Sequence, residues 1–210
     1  MEITIQKIKD VLFKKGYKWI EEKPQIIGIR TNIQVPDVFN DIICVVYKDK
    51  LFVTTCTTEP GTTYQKKPLN PKGCWVMMPN QMIDAYSLGY HQGKEDHRAL
   101  RSTGKIFGLR ENDKDGIILN DKDAVSSWAD GTTIGANIHG ANKMGVTKTV
   151  GRWSAGCQVL DHWSKKEEMI DIFVNFEKTN KSLWKKNTEW VFGKSGVSYT
   201  YTLLTEKDFQ

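Results

Sequence analysis

The chain has 210 residues, of which 39% are hydrophobic and 26% charged, the make-up of an ordinary soluble globular protein long enough to bury a core. No stretch approaches the roughly 18–20 consecutive apolar residues of a membrane-spanning helix, which excludes integral helical membrane proteins. Thirty Lys and Arg against 25 Asp and Glu leave a net charge of +5, an excess that suits an anionic partner. The arginines are only Arg30, Arg98, Arg101, Arg110 and Arg152, and no basic run exceeds a Lys pair, so no nucleic-acid partner is expected.

The N-terminal stretch carries Glu2 and Asp10 and lacks an uninterrupted apolar segment, so it does not read as a secretory signal. Synthesis in the cytoplasm is expected. Residues 4–15 read as an amphipathic helix: Ile5, Ile8, Val11 and Leu12 share a face, Thr4 caps the start and Gly16 ends it. Short β-like runs follow as IIGIR, DIICVVY and LFVTTC, with a KDK turn between the last two.

Residues 59–74 hold three of the six prolines and read as an ordered loop. WVMMP, AYSLGYH and GKIFGLR continue the β character. The polar stretch from Glu111 to Asp123 resembles half of a calcium loop, but Lys122 stands where the bidentate acid belongs, and a solvated turn is the preferred reading. TIGANIHG and WSAGCQVL are the next apolar runs. Ser164 and Glu167 have capping-box spacing and open a helix to about residue 178, with Met169, Ile170, Phe173 and Phe176 buried. The end, EWVF-GKSG-VSYTYTLL, reads as a β-hairpin. The fold class is α+β, mainly β. Residues 1–24 form a helical segment and 25–210 a single compact domain, and a monomer is expected.

Cys44, Cys56, Cys74 and Cys157 form no C-x-x-C pair and no metal-ligand spacing, so neither a metal site nor a disulfide framework is expected. Cys44 and Cys56 lie in strand-like runs as small buried hydrophobes. Cys157 differs, because Ser154-Ala155-Gly156 precedes it and a glycine before a nucleophile lets the backbone turn sharply. His139 lies upstream in Ile-His-Gly. If IGANIH and CQVL are neighbouring strands, the polar loop between them brings imidazole and thiol together, as nucleophilic catalysis requires.

Ile138-His139-Gly140 followed by Ser154-x-Gly156-Cys157, with fourteen residues between His139 and Ser154, resembles the signature of the L,D-transpeptidase (YkuD-like) family, and Thr57-Thr58-Glu59-Pro60-Gly61-Thr62 is similar to its upstream Thr-Pro-x-Gly segment. The resemblance spans about residues 27–160 and implies an L,D-transpeptidase-like β-sandwich core. It implies Cys157 as nucleophile toward a peptidoglycan stem-peptide carbonyl and His139 as base. It further implies Gly156, Cys157 and the Gly140 region as the oxyanion site, and Ser154 as a brace for the loop or an orienter of His139. No organic or metal cofactor is implied.

Two departures stand out. Ala155 replaces the family's usual second His, and Gln158-Val159 replaces the residues that follow its Cys. This variant is similar to divergent phage-type members, which implies a hydrolase of the endolysin kind that acts on the wall after release from the cytoplasm. The alternatives are a true cross-linking transpeptidase and a non-catalytic wall-binding or virion module. His91 lines the cleft or is an ordinary loop histidine, Trp153 walls the cleft or simply packs, and Tyr64 is a cleft candidate. His97 and His162 read as structural or exposed.

Overall fold

A computed structural model describes residues 1–32, 35, 37–112, 114, 127–130, 134–185 and 189–210, with residues 127–130 described by their backbone. Most of the 111–123 acidic stretch therefore lies outside the described residues. The chain opens with α1 (Ile5–Lys14), where the Thr4 side chain accepts from the Lys7 N–H and Ile8, Val11 and Leu12 are buried. Gly16 ends it in the left-handed region at φ 69°.

Next come β1 (Gln25–Arg30), β2 (Asp41–Tyr47), β3 (Lys50–Thr57) and the short α2 (Thr62–Lys66). After them run β4 (Cys74–Met77), β5 (Asn80–Tyr90), β6 (Arg98–Ser102), β7 (Lys105–Glu111) and β8 (Ser127–Asp130). The last elements are β9 (Ile138–Gly140), β10 (Gln158–Leu160), α3 (Trp163–Thr179) and β11 (Tyr199–Thr205).

The expected mainly β, α+β class with one early and one late helix is what the structure has. The strands do not stack as a two-sheet sandwich, however. Eight of them close into a barrel in the order β1-β11-β5-β6-β9-β10-β3-β2, and β4, β7 and β8 form a separate small sheet. Closure depends on two parallel pairings, β1 with β11 and β9 with β10; the other barrel pairings are antiparallel. A closed sheet leaves no exposed edge.

Strand alternation assigns each side chain to one wall of the barrel. Ile26, Ile43, Val45, Tyr86, Leu100, Ile138, Leu160, Tyr201 and Leu203 form one buried cluster, joined by Met169, Ile170, Phe173 and Phe176 of α3. Ile27, Ile29, Cys44 and Val46, on the opposite faces of β1 and β2, form a second cluster with Ile8, Val11 and Leu12 of α1. At about 1.5–3 kcal/mol per buried aliphatic side chain, this contact stabilises a helix too short to persist alone. Gly28 makes room for Tyr201, since a Cβ there would lie 2.0 Å from its hydroxyl oxygen.

Three local expectations are corrected. The helix begins at Trp163, with His162 rather than Ser164 at its N-cap, and no side chain caps it. Glu167 is drawn instead to Lys166 and Arg98. The C-terminal hairpin does not form: the Trp190–Phe192 segment is irregular, and β11 pairs with β1 and β5 from distant parts of the chain. The run ending at His91 stops as a strand at Tyr90, and His91 begins a 3-10 turn.

Candidate active site

His139 sits in the centre of β9 and Cys157 immediately precedes β10. The two strands pair in parallel with Gln158 opposite Ile138 and Val159 opposite His139. The long loop between them thus returns the thiol to the level of the imidazole. A ring nitrogen of His139, one of His91 and Cys157 Sγ all lie within 4.8 Å of one another.

The Cys157 loop is tightly determined. Gly156 has φ +121°, and a Cβ on it would stand 2.7 Å from the Trp75 carbonyl oxygen and 2.9 Å from Trp75 Cδ1. Ser154 is fully buried; its hydroxyl donates to the Cys157 carbonyl at 2.7 Å and accepts from the Gly156 N–H at 3.2 Å. Ser154 therefore braces the loop and makes no hydrogen bond to His139. The Pro60-Gly61 segment supports the same loop from behind. Gly61 N–H donates to Ser154 O at 2.9 Å, and Asp37 accepts from both Thr62 N–H and Gly151 N–H. Inside the barrel, Tyr201 donates to Gln158 Oε1 and Tyr86 to the Ala136 carbonyl, tying β10 and the approach to β9 to the core.

His139 is 1% exposed, and its Nδ1 lies 2.8 Å from the Gly140 carbonyl. A carbonyl only accepts, so Nδ1 carries the proton and Nε2 the lone pair. That Nε2 is buried without a hydrogen-bond partner among the described residues. Gly140 thus orients the imidazole through its carbonyl.

His91 stacks on His139 with ring centroids 3.9 Å apart, and its Nδ1 is 3.1 Å from Asn137 Nδ2. His97 completes the group, edge-on to His139 at 5.2 Å and 4.9 Å from His91. Trp163 packs on His97, and the fully buried Lys166 holds its ammonium 3.6 Å from the Trp163 ring centroid.

These contacts set the charge states. Burial, then the charge repulsion of His91, holds His139 well below the ordinary imidazole value. Burial and neighbouring cationic groups, first His97 for His91 and Lys166 for His97, bring both down to about 4. Burial pushes the Cys157 thiol up to about 11, partly opposed by a hydrogen bond from the Asn137 backbone. At neutral pH the resting pair is a neutral thiol, donating to the Gly135 carbonyl at 3.4 Å, and a neutral imidazole.

Cys157 opens on a cleft of about 330 Å³. Its walls include Leu69, Cys74, Trp75, Arg110, Ile134 and Gly156. His91, Cys157 and His139 are brought together, but of the three only Cys157 lines this cleft; His91, Trp153 and Tyr64, the expected cleft residues, are not among its lining. Trp153 is partly exposed in a turn, and Tyr64 is half-buried in α2. His162 is partly exposed and lies apart from the cluster, whereas His97 belongs to it. His97, which the sequence marks only as structural or exposed, joins this group, and Asn137, Trp75 and Arg110 carry no sequence signal for their places around it. The spacing of His91 and His97 within one short segment is the signal that points to their sharing a site.

His91, His139 and Cys157 are also a possible metal-ligand set. The two rings are only 26° from parallel, however, so their in-plane lone pairs run side by side. A shared ion at about 2.0–2.1 Å from each nitrogen would require the rings to swing apart. The chain matches no family model and no curated protein.

Proposed function

We propose that the protein is a cysteine acyl-transfer enzyme acting on bacterial peptidoglycan stem peptides, working as a hydrolase of the endolysin kind. The observation that carries this reading is Cys157 in the wall of a cleft with the buried His139 close to its sulfur, His139 Nδ1 anchored to Gly140 and Nε2 unpartnered among the described residues. The peptidoglycan substrate comes from the resemblance of the His139…Ser154-x-Gly156-Cys157 spacing to the L,D-transpeptidase family.

Because thiol and imidazole are both neutral at rest, proton transfer accompanies attack instead of preceding it. His139 Nε2 takes the Sγ proton as sulfur bonds to the substrate carbonyl carbon. The Gly156 N–H is committed to Ser154, so the Cys157 N–H is the donor this loop offers the oxyanion among the described residues. The imidazolium then protonates the departing amine as the C–N bond breaks, leaving a thioester. Water, losing its proton to the same nitrogen, attacks the thioester and releases the acid and the thiol. Gln158, which follows the nucleophile, is fully buried with Oε1 held by Tyr201 and lies outside the cleft lining, so it supplies no contact for an amine acceptor.

Purified peptidoglycan incubated with wild-type protein is expected to release shortened muropeptides, and Cys157→Ala to release none. Equal release by the two proteins overturns the enzyme reading. New cross-links in the mass spectrum, in place of shortened stems, would reassign it as a transpeptidase.

A further inference from the structure

Arg110 is the one charged side chain among the described residues that line the Cys157 cleft. It reaches there from β7, in the small sheet rather than the barrel, and its Nη1 donates to the Gly73 carbonyl at 2.8 Å. Its guanidinium carbon stands 6.0 Å from the Trp75 ring centroid. No carboxylate pairs with it among the described residues. A guanidinium stays charged at any working pH and has five N–H donors, and the Gly73 carbonyl occupies only one of them.

A second donor lies in the same wall. Trp75 is 2% exposed, and its indole Nε1–H is buried without an acceptor among the described residues. A buried donor left unpaired costs about 1–3 kcal/mol, which makes such groups uncommon unless a ligand completes them. Among the described lining residues the other groups that titrate are Cys74 and Cys157, and burial pushes both thiols up; the carboxylate of Glu111, not itself a lining residue, raises Cys74 further. Among the described residues its lining carries one positive charge, that of Arg110, in an otherwise uncharged, partly apolar wall.

We infer that Arg110 binds a carboxylate of the substrate peptide and so positions the scissile carbonyl at Cys157. This rests on the acyl-transfer reading for its chemistry, but the carboxylate contact is a binding property that can be measured without turnover. Arg110 would act as a specificity-determining residue. Stem peptides carry several free carboxylates, and bidentate pairing with a guanidinium selects them over the corresponding amides.

The test separates binding from catalysis. Cys157→Ala protein is titrated calorimetrically with a stem tetrapeptide and with the same peptide bearing carboxamides throughout. The free acid is expected to bind about tenfold to a hundredfold more tightly than the amide, the range for a charge-assisted hydrogen bond. Adding Arg110→Gln should abolish that difference, and Arg110→Lys should restore part of it. Equal binding of acid and amide, an unchanged preference in Arg110→Gln, or binding of neither peptide overturns the inference. The proposed function is judged separately, by muropeptide release from Cys157-intact protein. Acid-selective binding without release leaves the Arg110 assignment standing and removes the enzyme reading. Release that is indifferent to Arg110→Gln does the reverse. Thermal melts identify a variant that fails to fold, in which case Arg110→Lys alone, which keeps the charge but loses the planar fork, decides by weakening acid binding or leaving it unchanged.

Discussion

The resting charge state of Cys157 makes a sharp experimental prediction. With its thiol pushed up to about 11 by burial, only about one molecule in 10⁴ holds the thiolate at pH 7. An unperturbed cysteine, with a pKa near 8.5, is about 3% thiolate at that pH, so Cys157 should alkylate roughly two orders of magnitude more slowly. Cys44 and Cys74 are pushed up further, to about 12, and the fully buried Cys56 also lies well above its ordinary value. Cys157 should therefore still be modified first, by about tenfold over Cys44 and Cys74 on thiolate fraction alone.

Cys74 lines the same cleft, so access by itself does not distinguish these two thiols. The assay is iodoacetamide labelling at closely spaced pH values from 6 to 11, with each cysteine quantified by peptide mass spectrometry. The Cys157 rate should climb about tenfold per pH unit with no level region near neutrality. A plateau beginning below pH 8 would refute the reasoning, because it requires a thiolate–imidazolium pair already formed in the resting protein. In that case His139, not burial, would control the sulfur.

The histidine cluster couples folding to pH. His91 and His97 sit at about 4 in the folded chain against an ordinary 6.5, so the unfolded chain binds their protons first. Their contribution is complete above about pH 6.5 and is lost as pH falls toward 4, with a slope of up to about 1.4 kcal/mol per pH unit for each. Glu59 and Glu177, held above the usual carboxylate range by burial, act in the opposite direction. The urea midpoint should fall between pH 7 and pH 5 and fall less in His97→Gln; a midpoint that holds or rises in the wild type would contradict the assignment. Gly156→Ala combines a left-handed backbone with a Cβ 2.7 Å from the Trp75 carbonyl oxygen, and should destabilise by about 2–5 kcal/mol. A thermal melt measures this, and an unchanged melting temperature would mean that the Cys157 loop shifts freely.

Much of the local structure is legible in the residues. The i, i+3, i+4 spacing of Ile5, Ile8 and Leu12, with Thr4 and Gly16 at the ends, specifies α1 because its signals lie within a few turns of one another. The apolar runs at 26–30, 41–47 and 51–56 are strands for the same reason. The Ser164/Glu167 capping box misled because Glu167 has stronger partners across space, in Arg98 and Lys166, than the backbone it was expected to cap. The expected C-terminal hairpin misled because pairing with β1 and β5 gave β11 a place in the barrel that a local turn could not offer.

Sequence by itself indicated that His139 and Cys157 would come together, because one lies on β9 and the other immediately precedes its parallel neighbour β10, with one loop between them. Only the tertiary structure decided what surrounds them. It closed the sheet into a barrel, stacked His91 on His139, set His97 against both, and brought Arg110 from the small sheet to the cleft at Cys157. Periodicity reports the face on which a side chain lies, but not the strand that will come to meet it. That is set by long-range pairing and packing, whose free energy is shared over the whole core.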